Sequence, residues 1–182
     1  MNHLPAYILL ILQFFAVSTT EYGLTEMDGK PVTPKPGTKA TVFIMMSPEC
    51  PLCQSYSLTL NNLNKKYAPQ GVAFYGIVPG TLFTASELKA FMQTYSISFP
   101  MYFDLKKQFT AQMKATKTPE VFVLDNKNTV RYRGRIDNWA YELGKKRKVI
   151  TERELQDALE AILSNQPIRV TKTEPIGCYI ED

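Results

Sequence analysis

The chain has a single histidine, His3, and only three cysteines, Cys50, Cys53 and Cys178. A Ser-His-Asp triad or a histidine-based metal centre is therefore out of reach for everything beyond residue 3. A zinc site is short of ligands too, since a CxxC pair wants a second Cys or His pair and one thiol is all that remains. Excess charge of one sign is also missing. With 21 Lys and Arg against 17 Asp and Glu, the net charge is +4, too modest to argue for nucleic acid as a partner. Internal repeats and low-complexity segments are absent. No apolar run reaches the roughly 20 residues that span a bilayer comfortably.

The longest apolar run covers residues 4–17 (LPAYILLILQFFAV) and is followed by Ser18. Small residues at Ala16 and Ser18 give the spacing that a signal peptidase reads, so residues 1–18 are expected to be a secretory signal peptide. That implies an exported protein, periplasmic or extracellular. No Lys or Arg precedes the run, so an uncleaved membrane anchor is the alternative, and membrane contact is expected only then. No cysteine lies between the run and Cys50 to carry a lipid.

The remaining length, with 45% hydrophobic residues, suits one domain with tails. Residues 19–39 are polar and rich in Pro, Gly and Thr, an extended lead-in or short edge hairpin. Residues 40–46 and 72–78 are unbroken apolar runs, as in strands buried on both faces. Between them a helix is expected from Cys50 to about Ala68, stopped by Pro69 and Gly71. A second helix, capped by Thr84 or Ser86, carries Leu88, Phe91, Met92 and Tyr95. A short strand at residues 99–104 precedes a small helix at 106–115. Residues 121–124 and 130–136 read as a hairpin around a turn at 125–128. Residues 139–149 read as a polar loop. Thr151 and Glu154 have capping-box spacing before a last helix with Leu155, Ala158, Leu159 and Ile162 on one face. Residues 164–182 form a tail without helical period. The pattern is α/β: a central mixed sheet flanked by helices over residues 40–163.

Cys50-Pro51-Leu52-Cys53 sits where the first buried strand turns into its helix. Tyr56, Leu60, Leu63 and Tyr67 follow on one helix face. A cysteine at a helix start meets unpaired N–H groups and the positive end of the macrodipole, and both favour the thiolate. Pro51 suits the first helical turn. Two intervening residues leave both sulfurs on one turn, close enough to cycle between dithiol and disulfide.

With this pair in its strand–helix context, the chain resembles the thioredoxin-like superfamily. It is most similar to the secreted redoxin branch that holds TlpA-like oxidoreductases and AhpC/TSA proteins. The inserted strand–helix unit at residues 99–115 and Thr118-Pro119 before the hairpin belong to the same resemblance. It implies a thioredoxin-like fold and thiol–disulfide oxidoreductase activity. Cys50 would be the attacking thiolate and Cys53 the resolving thiol. Pro119 would be a cis-proline facing the pair, with Thr118 presenting its backbone to substrate. Protein thiols or disulfides and an upstream redox partner would be the partners, with no cofactor and no metal. Two positions depart from the family: Ile44 stands where thioredoxin keeps a buried acid, and Glu49 where it keeps a tryptophan. Glu49 is then a candidate proton acceptor or simply a solvated loop charge. The reading requires Cys50 to be reactive, unsealed, and near Cys53 and Pro119.

Two other functions are weighed. A peroxiredoxin-like thiol peroxidase fits Ser47 and Pro51, but no arginine stands near Thr118. Arg131, Arg133 and Arg135 are read as the solvent face of the hairpin. A copper- or thiol-binding module of the same fold would use the three cysteines as soft ligands. Cys178 itself has three readings: a free or intermolecular thiol, a resolving cysteine folded back on the pair, or a small packing residue. The first and third together are preferred. The basic run at residues 145–148 is read as a solvated loop, and Met45, Met46, Met92, Met101 and Met113 as core.

Overall fold

The computed structural model describes residues 22–181, so the expected signal peptide or anchor lies outside the described residues. Among the described residues no helix is long and apolar enough to cross a membrane. The centre is a seven-stranded mixed sheet built from β1 (Leu24–Thr25), β2 (Pro31–Val32), β3 (Ala40–Met45), β4 (Val72–Pro79), β5 (Met101–Asp104), β7 (Glu120–Asp125) and β8 (Val130–Gly134). Its order is β2-β1-β5-β4-β3-β7-β8. Strands β3, β4 and β5 run parallel; β7 returns antiparallel beside β3, and β8 pairs antiparallel with β7 at the edge. The lead-in forms the short hairpin β1–β2, which continues the sheet beyond β5.

Every residue of β3 is buried, as an unbroken apolar run demands of a central strand. Its side chains alternate between two cores. Val42 and Ile44 face α1 (Pro51–Tyr67), α2 (Ala85–Thr94) and α4 (Glu154–Leu163). Phe43 and Met45 face α3 (Gln108–Met113) and Tyr22, where Phe109 packs 4.8 Å from Phe43, ring centre to ring centre. The expected face of α1 is buried, and Tyr56 anchors it by donating to buried Asp137 at 2.7 Å. Thr84 caps α2 with a full capping box through Glu87. Met45, Met46, Met101 and Met113 are buried, and Met92 packs against the core.

Four expectations need correction. Residues 139–149 are not a plain loop but include a small hairpin, β9 (Ala140–Glu142) with β10 (Lys145–Lys146), in which Lys145 pairs with Glu142 and Lys146 lies over Trp139. Thr151 does not cap α4. Its hydroxyl is taken by Asn138, Glu154 is drawn to Arg135, and Arg153 occupies the cap position with no side-chain bond. Tertiary partners outcompeted the local motif. Arg133 and Arg135 are half-buried and engaged with acids, not a free solvent face. Arg133 donates to buried Glu120 at 2.6 Å and lies over Phe122; Arg135 joins Glu152 and Glu154. Arg131 pairs at the surface with Asp125. The tail is no loose end. Its strand β11 (Cys178–Tyr179) pairs antiparallel with β6 (Lys117–Thr118).

Candidate active site

Chain direction sets the site. β3 ends at Met45, and Met46 still donates its N–H to Ile77 at 2.8 Å. The chain turns through residues 47–49, closed by Cys50 N–H on the Ser47 carbonyl at 3.2 Å and by the Gln54 amide on the Pro48 carbonyl at 2.8 Å. Cys50 is the N-cap residue of α1, extended at φ −74° and ψ 116°, and Pro51 opens the helix. Proline fits there because its missing N–H has no intrahelical partner to lose. Cys53 lies one turn on, fully buried among Ile44, Met46 and neighbouring apolar side chains, where it accepts the Ser47 N–H at 3.4 Å. Ile44 is itself fully buried, so the place of thioredoxin's acid is apolar.

The wall opposite is the short strand β6, ending in a cis Thr118–Pro119 peptide bond. Cys50 Sγ lies 3.0 Å from the Thr118 carbonyl oxygen, which accepts its S–H when that sulfur is protonated. Strand β11 lies along β6 with Cys178 opposite Thr118 and Tyr179 opposite Lys117. This register brings Cys178 Sγ to 2.7 Å from Cys50 Sγ. The structure thus gathers Cys50, Thr118 and Cys178 in direct contact, with Cys53 one helical turn on, and all three cysteines are free thiols. Glu49 is exposed on the entering loop. Ser47, Glu49, Cys50, Thr118 and Cys178 open onto a cleft of about 490 Å³, closed on its far side by residues 79–83 and by Leu105 and Lys107. Cys50 is nonetheless only 2% exposed. The sequence led us to expect an open sulfur; instead the tail lies over it.

One negative charge is shared out unequally among the three sulfurs. The Cys53 thiol, donating to Cys50, is the main reason that the Cys50 pKa falls to about 4, with burial opposing and the Cys178 thiol helping. Burial first, then the hydrogen bond to Cys50 and its charge, push Cys53 well above the ordinary thiol value. The same causes in the same order push Cys178 up to about 12. The charge therefore resides on Cys50, flanked by two protonated thiols. The helix start contributes through the Cys53 backbone N–H, less than the neighbouring sulfur does.

Sequence reasoning missed two parts of this site. One is the tail strand. Ile176, Cys178 and Ile180 alternate at period two, a strand signal, but its partner is some sixty positions earlier in the chain. The other is Gly177, whose missing side chain lets the tail close. A Cβ there would sit 2.1 Å from the Thr118 carbonyl oxygen. Among the described residues no group of three or more His, Cys, Asp and Glu is placed to hold a metal ion.

The fold is shared with solved structures. An uncharacterised conserved protein from Geobacillus kaustophilus is 23% identical with a TM-score of 0.77, over 90% of this chain and 89% of that one. A hypothetical protein from Sinorhizobium meliloti 1021 is 24% identical at 0.77, over 89% and 91%. A secreted Mycobacterium tuberculosis disulfide oxidoreductase, described as homologous to E. coli DsbE, is 17% identical at 0.55, over 82% and 99%. At such identities the likeness shows the fold alone. No curated protein matches the chain. The AhpC/TSA family model matches residues 17–133, from before the sheet through the cysteine pair and Pro119 to β8. With that match over well over half its length and a thioredoxin-like fold around Cys50, the chain belongs to the AhpC/TSA family.

Proposed function

We propose that this protein is a thiol–disulfide oxidoreductase that exchanges electron pairs with protein substrates through Cys50 and Cys53. The observation that carries the reading is the placement of Cys50: a low-pKa sulfur at the start of α1, backed by Cys53 and 3.0 Å from the Thr118 carbonyl. In the reducing direction the Cys50 thiolate attacks one sulfur of a substrate disulfide, forms a mixed disulfide and releases the other sulfur as a thiolate. Cys53 then attacks Cys50 Sγ. The substrate's second sulfur leaves with a proton, and the Cys50–Cys53 disulfide remains. Two electrons have passed to the substrate, and a partner dithiol restores the pair. The backbone of Thr118 and Pro119 would hold the substrate strand, and Glu49 at the cleft mouth would meet the Cys53 proton. Export, read from residues 1–18, would place the substrates outside the cytoplasm, where disulfides persist.

The test is reduction of insulin disulfides with a dithiol as electron source. The full chain is expected to accelerate precipitation of the insulin B chain. Cys50→Ser abolishes the effect; Cys53→Ser slows it, because each mixed disulfide then waits on another thiol for its release. Acceleration that survives Cys50→Ser refutes the reading.

The cleft supports a second reading, thiol peroxidase, because it admits small molecules while the tail keeps a protein chain off Cys50. Against it stands the arginine. The guanidinium of Arg133 is spent on Glu120 and on the carbonyls of Met113 and Lys114, leaving none to polarise a peroxide at Cys50. Peroxide consumption that is lost in Cys50→Ser, in a chain that leaves insulin untouched, favours this reading instead.

A further inference from the structure

The tail is fastened over the site by contacts of a particular kind. Besides the β11–β6 pairing, Ile180 donates its N–H to the Thr116 carbonyl at 3.0 Å, and Lys117 reaches the Pro175 carbonyl at 3.2 Å and lies over the Tyr179 ring. Backbone pairing to an exposed strand edge, with one side chain set into the site, is how an extended peptide is recognised. Gly177 is what permits the close approach: any side chain there would meet the Thr118 and Pro119 backbone. The side chain delivered to Cys50 is a thiol, the group that a disulfide substrate presents.

We propose that Cys178 is a third redox cysteine, carried on a built-in substrate strand, and that its disulfide with Cys50 locks the tail over the site. The proposal rests on the oxidoreductase reading for its chemistry, and it adds both a residue and a form of regulation to it. Reduction of a substrate disulfide leaves a Cys50–Cys53 bond. The Cys178 sulfur, giving up its proton, attacks Cys50 Sγ; the Cys50–Cys178 bond forms, the Cys50–Cys53 bond breaks, and Cys53 leaves and takes up the proton. No electrons are gained or lost, so the two disulfides are isomers that interconvert without a further reactant. The sulfurs are 2.7 Å apart, against a bonded distance of about 2.05 Å, so little movement is required.

The two forms differ in access. In the dithiol protein the tail is held at the site by a ladder of two residues on each side and by the Ile180 and Lys117 contacts, all of them non-covalent, so the pairing can open. A protein substrate then takes its place on β6. In the Cys50–Cys178 form the same strand is covalently pinned, and no chain can pair with β6 until Cys53 or an external dithiol breaks the bond. The protein therefore shields its oxidised site from protein substrates while leaving the cleft open to small reductants.

Disulfide mapping tests this without any protein substrate. The full chain and Cys53→Ser are oxidised with oxidised glutathione, quenched in acid, alkylated and mapped by mass spectrometry. Cys53→Ser is expected to join Cys50 to Cys178 within one chain and retain no glutathione. Wild type is expected to show both the Cys50–Cys53 and the Cys50–Cys178 bonds. Glutathione held on Cys50 of Cys53→Ser, with Cys178 alkylated, overturns the proposal. Gly177→Ala supplies an independent arm: its methyl lifts the tail, so the Cys50–Cys178 bond is lost while Cys50–Cys53 still forms. Alkylation of Cys50 in the reduced protein then rises about tenfold or more, as for a site whose cover opens more often. An unchanged rate and an unchanged map in that variant also overturn it. A chain that cannot reduce insulin yet joins Cys50 to Cys178 refutes the oxidoreductase reading and leaves the tail lock standing.

Discussion

Titrated from acid to neutral pH, the reduced protein is expected to gain the ultraviolet absorbance of one thiolate per chain, with a midpoint near pH 4. The other two cysteines stay protonated into the alkaline range, because burial and the Cys50 charge raise both. The variants give the sharper outcome. Cys53→Ala removes the largest contribution to the low value, so the midpoint moves up toward the free-thiol value of about 8.5, and the thiolate at pH 5 falls by on the order of tenfold or more. Cys178→Ala removes a smaller contribution and moves the midpoint less. A wild-type midpoint near 8.5, or a larger shift in Cys178→Ala than in Cys53→Ala, contradicts the distribution of charge described above. Stability follows with a definite sign. Cys50 binds its proton less tightly when folded, so it contributes stability above the unfolded thiol value that is lost as pH falls through about 4. Cys53 and Cys178 bind theirs more tightly when folded. Their contribution is present below the unfolded value and disappears as the pH rises into the alkaline range.

This site was legible where chemistry is local and obscure where it is not. Cys50, Pro51 and Cys53 announce a helix start because capping and the helix period operate within a few residues. The unbroken apolar runs of β3 and β4 likewise gave a central parallel pair, since only a doubly covered strand can be apolar at every position. The same local rules misplaced the cap of α4: a hydroxyl and a carboxylate at capping-box spacing were claimed by Asn138 and Arg135 from other elements. They also put Arg133 and Arg135 on a solvent face, because alternation along β8 does not reveal that the acids at 120 and 154 lie behind it. The reason for the low Cys50 pKa was incomplete for the same cause. The helix start was visible in the sequence, whereas the neighbouring thiols outweigh it, and one of them comes from the other end of the chain. The alternation at Ile176, Cys178 and Ile180 is too short to assign a strand by itself, and only the pairing of β11 with β6 gives it meaning.

The second large effect concerns the support behind Thr118. Glu120, next to Pro119, is fully buried and held by Arg133 at 2.6 Å and by the Thr116 N–H at 3.0 Å. Arg133 also takes the carbonyls of Met113 and Lys114 where α3 ends, so one guanidinium ties α3, β7 and β8 together behind the segment at residues 116–120. Removing it in Arg133→Met leaves a buried carboxylate without its cation. The expected cost is about 3 kcal/mol, the lower end for a broken buried pair because the guanidinium is a quarter exposed. For a chain of this size that lowers the melting temperature by about 6–12 °C. The double variant Glu120→Gln/Arg133→Met removes both charges and is expected to recover more than half of the loss, since the penalty lies in the uncompensated charge and not in the missing attraction. Chemical denaturation of the three proteins measures this directly. A single-variant cost under about 1 kcal/mol, or strictly additive costs in the double, means that Glu120 escapes burial when its partner is gone. With the pair intact, the segment that carries Thr118 is braced through Thr116 and Glu120 by a charge pair, and the tail has a firm edge on which to close.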